Sequence, residues 1–256
     1  MTEQNKPVKR VKLIVAYDGT NYCGWQVQPN GVSIAGELNR HLSELLNEDI
    51  YVLGASRTDA GVHARGNVAV FDTSARMSAE RISYALNTRL PEDIRIQDSR
   101  EVAPDFHPRF ANTRKTYEYR ICNRPFPDPC SRLYSLFYHW NLDVGKMRQA
   151  AAYLVGTHDF TSFCTSRSDV KNHVRTIYSL DLTEGQGEAA GMITVRICGS
   201  GFLYNMVRII VGTLLKVGSN MMEPEEMAAI LEAKDRSLAG DTAQAHGLTL
   251  VNIEYL

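Results

Sequence analysis

Apolar residues recur along the chain in two periods, and the period names the element. From Val11 to Tyr17 they alternate with polar ones, as a half-buried strand requires. A Gly/Asn-rich stretch, Asp18 to Gly31, reads as a loop. Ser33 then caps a helix that runs to about Leu46. Tyr51 to Ala55 and Val68 to Phe71 read as strands. Ser78 opens a second helix to about Leu90, stopped by Pro91, and Ile94 to Val102 reads as a further strand. The order is β-α-β-β-α-β, the split βαβ or ferredoxin-like pattern.

The same order recurs downstream. Thr116 to Cys122 and Tyr134 to Trp140 read as strands, and Asp143 caps a helix to about Leu154. His158 and Asp159 read as a turn after that helix. Val174 to Leu182 and Met192 to Cys198 are strands joined by a Gly-rich turn, a hairpin signal. Phe202 to Val217 reads as a long helix, and Pro224 sits at the start of another, Glu225 to Ala233. Leu248 to Ile253 closes as a strand. The expected fold is therefore α+β, with two ferredoxin-like (split βαβ) halves, a mixed, largely antiparallel sheet and a cleft between the halves. The expected boundary places residues 1–104 in one half and 105–256 in the other. Between them lies a crossover, Pro104 to Pro129, which holds five of the nine prolines.

Composition narrows the class. With 256 residues, 44% hydrophobic and 22% charged, the chain is long enough and apolar enough to bury a core without disulfide staples. A net charge of -1 gives no sign of a polyanion partner. The average conceals a gradient. From Phe106 to Arg148 the bases Arg109, Arg114, Lys115, Arg120, Arg124, Arg132, Lys146 and Arg148 face only Glu118, Asp128 and Asp143. From Met221 onward Lys234 and Arg236 face seven acids. A basic middle can steer a polyanion locally, although two solvated faces would look the same.

The longest apolar stretch, Phe202 to Val217, contains Arg208 and Lys216, so no membrane span is expected. Lys6, Lys9, Arg10 and Lys12 are followed by no apolar export region. Five scattered cysteines without a CxxC pair read as reduced thiols of a cytoplasmic protein, and no metal site is expected. There is no phosphate-binding GxxxxGK[ST] loop, no HExxH and no G-x-S-x-G elbow. Gly199-Ser200-Gly201 lacks the third glycine of a dinucleotide fingerprint, and Pro129-Cys130 lacks the second cysteine of a base deaminase. The expected chemistry uses side chains alone, with no cofactor.

The most unusual stretch is Gly54 to Ala64, Gly-Ala-Ser-Arg-Thr-Asp-Ala-Gly-Val-His-Ala, which joins two strands. It sets one carboxylate, Asp59, among Arg57, His63 and Arg65. A loop carboxylate held by a rigid sheet suits a nucleophile or a base. The ordinary structural reading is a turn in which Asp59 bonds its own backbone.

Arg57-Thr58-Asp59-Ala60-Gly61-Val62-His63-Ala64 resembles the catalytic motif of the TruA family of tRNA pseudouridine synthases. The resemblance extends to Tyr17-Asp18-Gly19-Thr20, Gly24-Trp25-Gln26, Phe106-His107-Pro108-Arg109-Phe110 and Arg114 to Ile121. It continues through His158-Asp159-Phe160, Arg175-Thr176-Ile177, Phe202 to Arg208, Ile210 to Leu214 and Gly247-Leu248. The matches run in order over nearly the whole chain. The clearest departure is Gln244, where the family pattern favours proline. The resemblance implies an enzyme that converts uridine to pseudouridine at positions 38 to 40 of the tRNA anticodon stem-loop, as a homodimer, without cofactor or metal. It implies that Asp59 is the catalytic aspartate, that Tyr117 packs on the target base and that Arg208 pairs with Asp59. It also implies that Arg57 helps take the base out of the stack.

Such a reaction breaks the N1–C1′ glycosidic bond, turns the uracil and forms C5–C1′. Glycosidases use two carboxylates because a sugar alkoxide leaves poorly. Uracil anion leaves more easily, so one carboxylate suffices. Asp59 can attack C1′, attack C6 or remove a ribose proton, and the sequence does not choose among these. Each residue also has an ordinary reading: core packing for Tyr117, an ion pair elsewhere for Arg208, a hydrogen-bonded loop histidine for His63, and packing for Trp25 and Gln26. A non-catalytic RNA-binding protein and a hydrolytic nucleoside glycosidase are the rival readings. The anion Asp59 argues against the first, and the lack of a second catalytic carboxylate argues against the other.

Overall fold

The computed structural model describes residues 8–165 and 170–256. Residues 1–7, Lys6 among them, lie outside the described residues, as do 166–169. The chain divides into two compact units, residues 1–112 with 250–256, and residues 113–249. This division falls eight residues beyond Pro104 and assigns the last strand, from Leu250 on, to the first unit.

The first unit contains β1 (Lys9–Tyr17), α1 (Ile34–Leu46), β2 (Leu53–Gly54), β3 (His63–Thr73), α2 (Ala79–Asn87) and β4 (Ile94–Val102). Strand β1 lies between β4 and β3, and β2 pairs with β3, every pair being antiparallel. This is the ferredoxin-like order. Ser33 Oγ accepts from the Gly36 amide and starts α1, while Asn47 in the left-handed region ends it. Ile34, Leu38, Leu42 and Leu46 recur at fours on the buried face of α1, and Ile82 and Leu86 do so on α2. They cover a sheet face built from Val11, Leu13 and Val15, all fully buried. The β1–β3 register slips between Val15 and Tyr17. A slip of this kind re-aims the side chain that follows, here Tyr17.

The second unit contains β5 (Thr113–Cys122), β6 (Leu136–Phe137), α3 (Val144–Ala152), β7 (Gly156–Asp159), β8 (Val174–Glu184) and β9 (Met192–Gly199). Helices α4 (Met206–Gly218) and α5 (Glu226–Ala233) follow, and then β10 (Leu248–Tyr255), whose first two residues belong to this unit and the rest to the first. The strand order is β5-β9-β8-β7, antiparallel throughout. Asp143 Oδ1 accepts from the Lys146 amide at 2.9 Å and starts α3. The fold is α+β with a mostly antiparallel sheet. No helix among the described residues is long and apolar enough to cross a membrane.

Three elements differ from the periodicity. Tyr134 to Trp140 is not a full strand: only Leu136–Phe137 pairs, parallel to β5. The Asn123 side chain takes the carbonyls of Tyr138 and Trp140 at 2.7 and 2.8 Å, so that backbone is satisfied without a neighbouring strand. The helix expected from Phe202 begins at Met206, because Asn205 adopts φ 61°. His158 and Asp159 lie in β7, paired with Arg175 and Val174. The turn begins after them, where Asp159 Oδ1 accepts from the Thr161 amide and hydroxyl.

Candidate active site

The loop between β2 and β3 is braced at both ends by its own unit. Asn67, fully buried in β3, is its hub. Its Nδ2 donates to Ser56 O at 3.0 Å and to the Tyr17 hydroxyl at 3.3 Å. Its Oδ1 accepts from the amides of Ser56 and Val68 at 3.3 and 2.9 Å. The re-aimed Tyr17 hydroxyl lies 2.7 Å from Thr58 Oγ1, and both side chains are buried. Thr58, directly before Asp59, is therefore tied to β1 and β3 together. Asn67→Ala strands several of these buried groups at once. It is expected to lower unfolding free energy by about 3 kcal/mol, read from urea titration. A change within about 0.5 kcal/mol, the size of an ordinary surface substitution, contradicts the hub.

The tip of the loop is closed by backbone. Val62 N–H donates to Asp59 C=O at 3.1 Å, with Gly61 at φ 77° in the turn position that favours glycine. The segment Tyr22 to Trp25 packs beneath it. Tyr22 O accepts from Gly61 N–H at 3.3 Å, and Trp25 N–H donates to Thr58 O at 3.0 Å. Gly24, at φ 92°, makes this approach possible, since a Cβ there would lie 2.5 Å from Thr58 O. The two motifs at Tyr17–Thr20 and Gly24–Gln26 thus form the floor of the loop. Trp25 is buried as expected of a packing residue, whereas Gln26 is exposed and does not pack. His63 begins β3, buried, with Nδ1 accepting from the Gly19 amide and 3.1 Å from Asp18 Oδ1.

Asp59 is half-buried, and Arg57 and Arg65 are exposed. Arg109 enters from outside the motif: its Nε donates to Gly54 O at 2.7 Å, at the base of the loop. Burial and then the charge of Arg57 lower the Arg109 pKa, which places two guanidinium groups within electrostatic reach of each other. The sequence places Arg109 in the basic middle and in the Phe106–Phe110 motif, neither of which ties it to the Asp59 loop. Its link to Gly54 spans 55 residues and leaves no local signal.

Tyr117 and Arg208 belong to the second unit. Tyr117 sits in β5 opposite Ile197, is 7% exposed and meets Phe202 edge to face at 5.2 Å. Arg208 lies in the first turn of α4. Its Nε donates to Ala243 O at 2.7 Å and its Nη1 to Asn205 Oδ1 at 3.0 Å. Tyr119, two residues along β5 from Tyr117, donates its hydroxyl to Gln244 O at 2.7 Å. Burial raises the Tyr119 pKa, and the charge of Arg208 partly opposes it. Gln244 itself holds φ -61°, the value that a proline ring would impose, with ψ 148° in the extended region proline also adopts. The departure from the family pattern there leaves the backbone as proline would set it. Among the described residues no group of three or more His, Cys, Asp or Glu could hold a metal ion.

A half-buried carboxylate on an internally bonded loop that also carries the exposed Arg57 suits a reacting group presented to a bound substrate. The model of the family described as tRNA pseudouridine synthase matches residues 13–111 and 150–256. "tRNA pseudouridine synthase A" of an Exiguobacterium species is 46% identical over 248 residues, covering 97% of this chain and 98% of its own. The protein of the same name from Bacillus subtilis is 47% identical over 249 residues, covering 96% and 99%. A chain in "Structure of H/ACA RNP bound to a substrate RNA containing 2'-deoxyuridine" shares 12% identity at a TM-score of 0.36. That likeness covers 94% of this chain and 45% of the other, so this chain spans under half of it, and it carries no weight here. The chain belongs to the tRNA pseudouridine synthase family, whose members are RNA isomerases.

Proposed function

We propose that the chain isomerises uridine to pseudouridine at positions 38 to 40 of the tRNA anticodon stem-loop, with Asp59 as the reacting carboxylate. The observation that carries this reading is the Asp59 turn, closed by Val62 N–H and braced through Thr58 by Tyr17. A group so fixed meets its substrate without reorganising first. The reaction consumes no oxidant, reductant or second substrate: N1–C1′ breaks, C5–C1′ forms, C5 loses a proton and N1 gains one. Tyr117 supplies a ring face for the uracil while it is detached, Arg57 holds the everted nucleotide, and Arg208 keeps Asp59 ionised and oriented. The family resemblance supports a homodimer, and the odd set of free cysteines supports a cytoplasmic enzyme.

The test is unmodified tRNA labelled with tritium at uridine C5. Tritium release together with pseudouridine mapped at positions 38 to 40 is the expected result. Release of free uracil would instead favour a hydrolytic glycosidase, and binding without release a non-catalytic RNA-binding protein.

The basic middle sets affinity in this reading. Arg114 is exposed and its guanidinium lies over the Tyr178 ring at 5.1 Å. Arg114→Gln and Lys115→Gln are each expected to flatten the salt dependence of tRNA binding by about one counterion. Filter binding across a salt series reads the slope, and an unchanged slope would place the RNA elsewhere.

A further inference from the structure

We propose that Phe110, stacked on His107, is a platform for the nucleobase next to the target uridine, with Arg109, its neighbour in the chain, available for the linking phosphate. The proposal rests on the reading of Asp59 as the reacting carboxylate and adds a substrate contact to it.

Phe110 is 85% exposed, yet its ring is ordered by a neighbour. The His107 and Phe110 rings lie 4.0 Å apart at 16°, a parallel stack. The Arg109 amide donates to His107 Nδ1 at 3.2 Å, which fixes the imidazole against its own backbone. One face of Phe110 is therefore covered by a flat ring, and the rest is open to solvent. A single exposed phenylalanine means little. This one is part of a rigid two-ring stack that a third ring can extend, and stacking on aromatic side chains accepts any base.

The segment carrying the stack is held in place. Tyr255 donates its hydroxyl to Pro108 O at 3.1 Å, and its ring meets Phe106 at 5.1 Å. Arg109, between the two stacked residues in the chain, bonds Gly54 O at the base of the Asp59 loop. The platform is thus fixed to the loop that presents Asp59 and Arg57. Two guanidinium groups within each other's field are unfavourable until an anion joins them. A phosphate between the target and its stacked neighbour supplies that anion. An apolar protein partner would leave both charges without one.

The experiment uses the full chain and anticodon stem-loop hairpins with 2-aminopurine on the 5′ or the 3′ side of the target. Binding is read as fluorescence quenching in the Asp59→Asn background, and KM and kcat are read in the wild-type background. Phe110→Ala is expected to abolish the quenching seen at one flank and raise KM about 5- to 100-fold, with kcat within about twofold. Phe110→Trp should restore both, and Phe110→Leu, apolar but without a flat face, should not. All three should melt as the wild type does, because the side chain is exposed. Unchanged quenching and KM in Phe110→Ala, or rescue by Leu as good as by Trp, overturns the platform. Failure of the Asp59 reading shows separately, as turnover by Asp59→Asn protein, whatever the quenching does.

Discussion

Asp59→Asn is expected to abolish pseudouridine formation, with a loss of at least ~10³-fold in single-turnover rate and tRNA affinity close to that of the wild type. Asparagine has nearly the same shape but is neither nucleophile nor base. The turn is closed by Asp59 through its carbonyl, to Val62 N–H, and the loop is anchored through Thr58, Ser56 and Asn67. Removing the carboxylate leaves those bonds in place, so the loop should keep its conformation. Asp59→Glu keeps the charge but carries it one methylene further out, and a displacement of that order costs ~10²-fold where orientation matters. Rate measured with excess enzyme over tritiated tRNA distinguishes the two variants. Turnover retained by either Asn or Ala at position 59 would remove Asp59 from the chemistry.

Part of this was legible in the sequence because its cause is local. Ser33 and Asp143 cap helices through bonds three residues away, and alternation in β1 and β9 follows from one buried face. The short edge strand β7, Gly-Thr-His-Asp, has no apolar residue to alternate and so read as a turn. Residues 134–140 are rich in aromatics and read as a strand, but Asn123 satisfies their carbonyls from a distance in sequence. Around the candidate site the motif marked Asp59 and Arg57, while the brace was hidden. Strand β3 is buried on both faces, so Asn67 sits in no readable alternation. Its partners Tyr17 and Ser56 lie 50 and 11 residues away. The tie from Arg109 to Gly54 is of the same long-range kind.

Arg208→Lys is expected to fold and bind tRNA but to lose most of its rate, and Arg208→Met to lose more, on the order of 10²-fold. Arg208 stands in the first turn of α4, where the helix dipole disfavours a cation. A guanidinium kept there against that field needs strong partners. Within its own unit it has the Ala243 carbonyl and Asn205 Oδ1. A planar fork can use these to hold its orientation while it grips a carboxylate, which lysine, a single charged point, cannot do. Arg208→Met frees the Ala243 carbonyl and Asn205 Oδ1, so a stability loss of about 1–3 kcal/mol is expected even without Asp59. Stability alone therefore cannot test the proposed pair. The double-mutant cycle with Asp59→Asn can, because bonds to Ala243 and Asn205 cancel between its two legs and only the coupling remains. A coupling above ~0.5 kcal/mol, joined to a rate loss in Arg208→Lys at unchanged tRNA affinity, places Arg208 with Asp59. Additive stability effects and a normal single-turnover rate in Arg208→Met would return Arg208 to a structural role, fastening the start of α4 to residues 205 and 243.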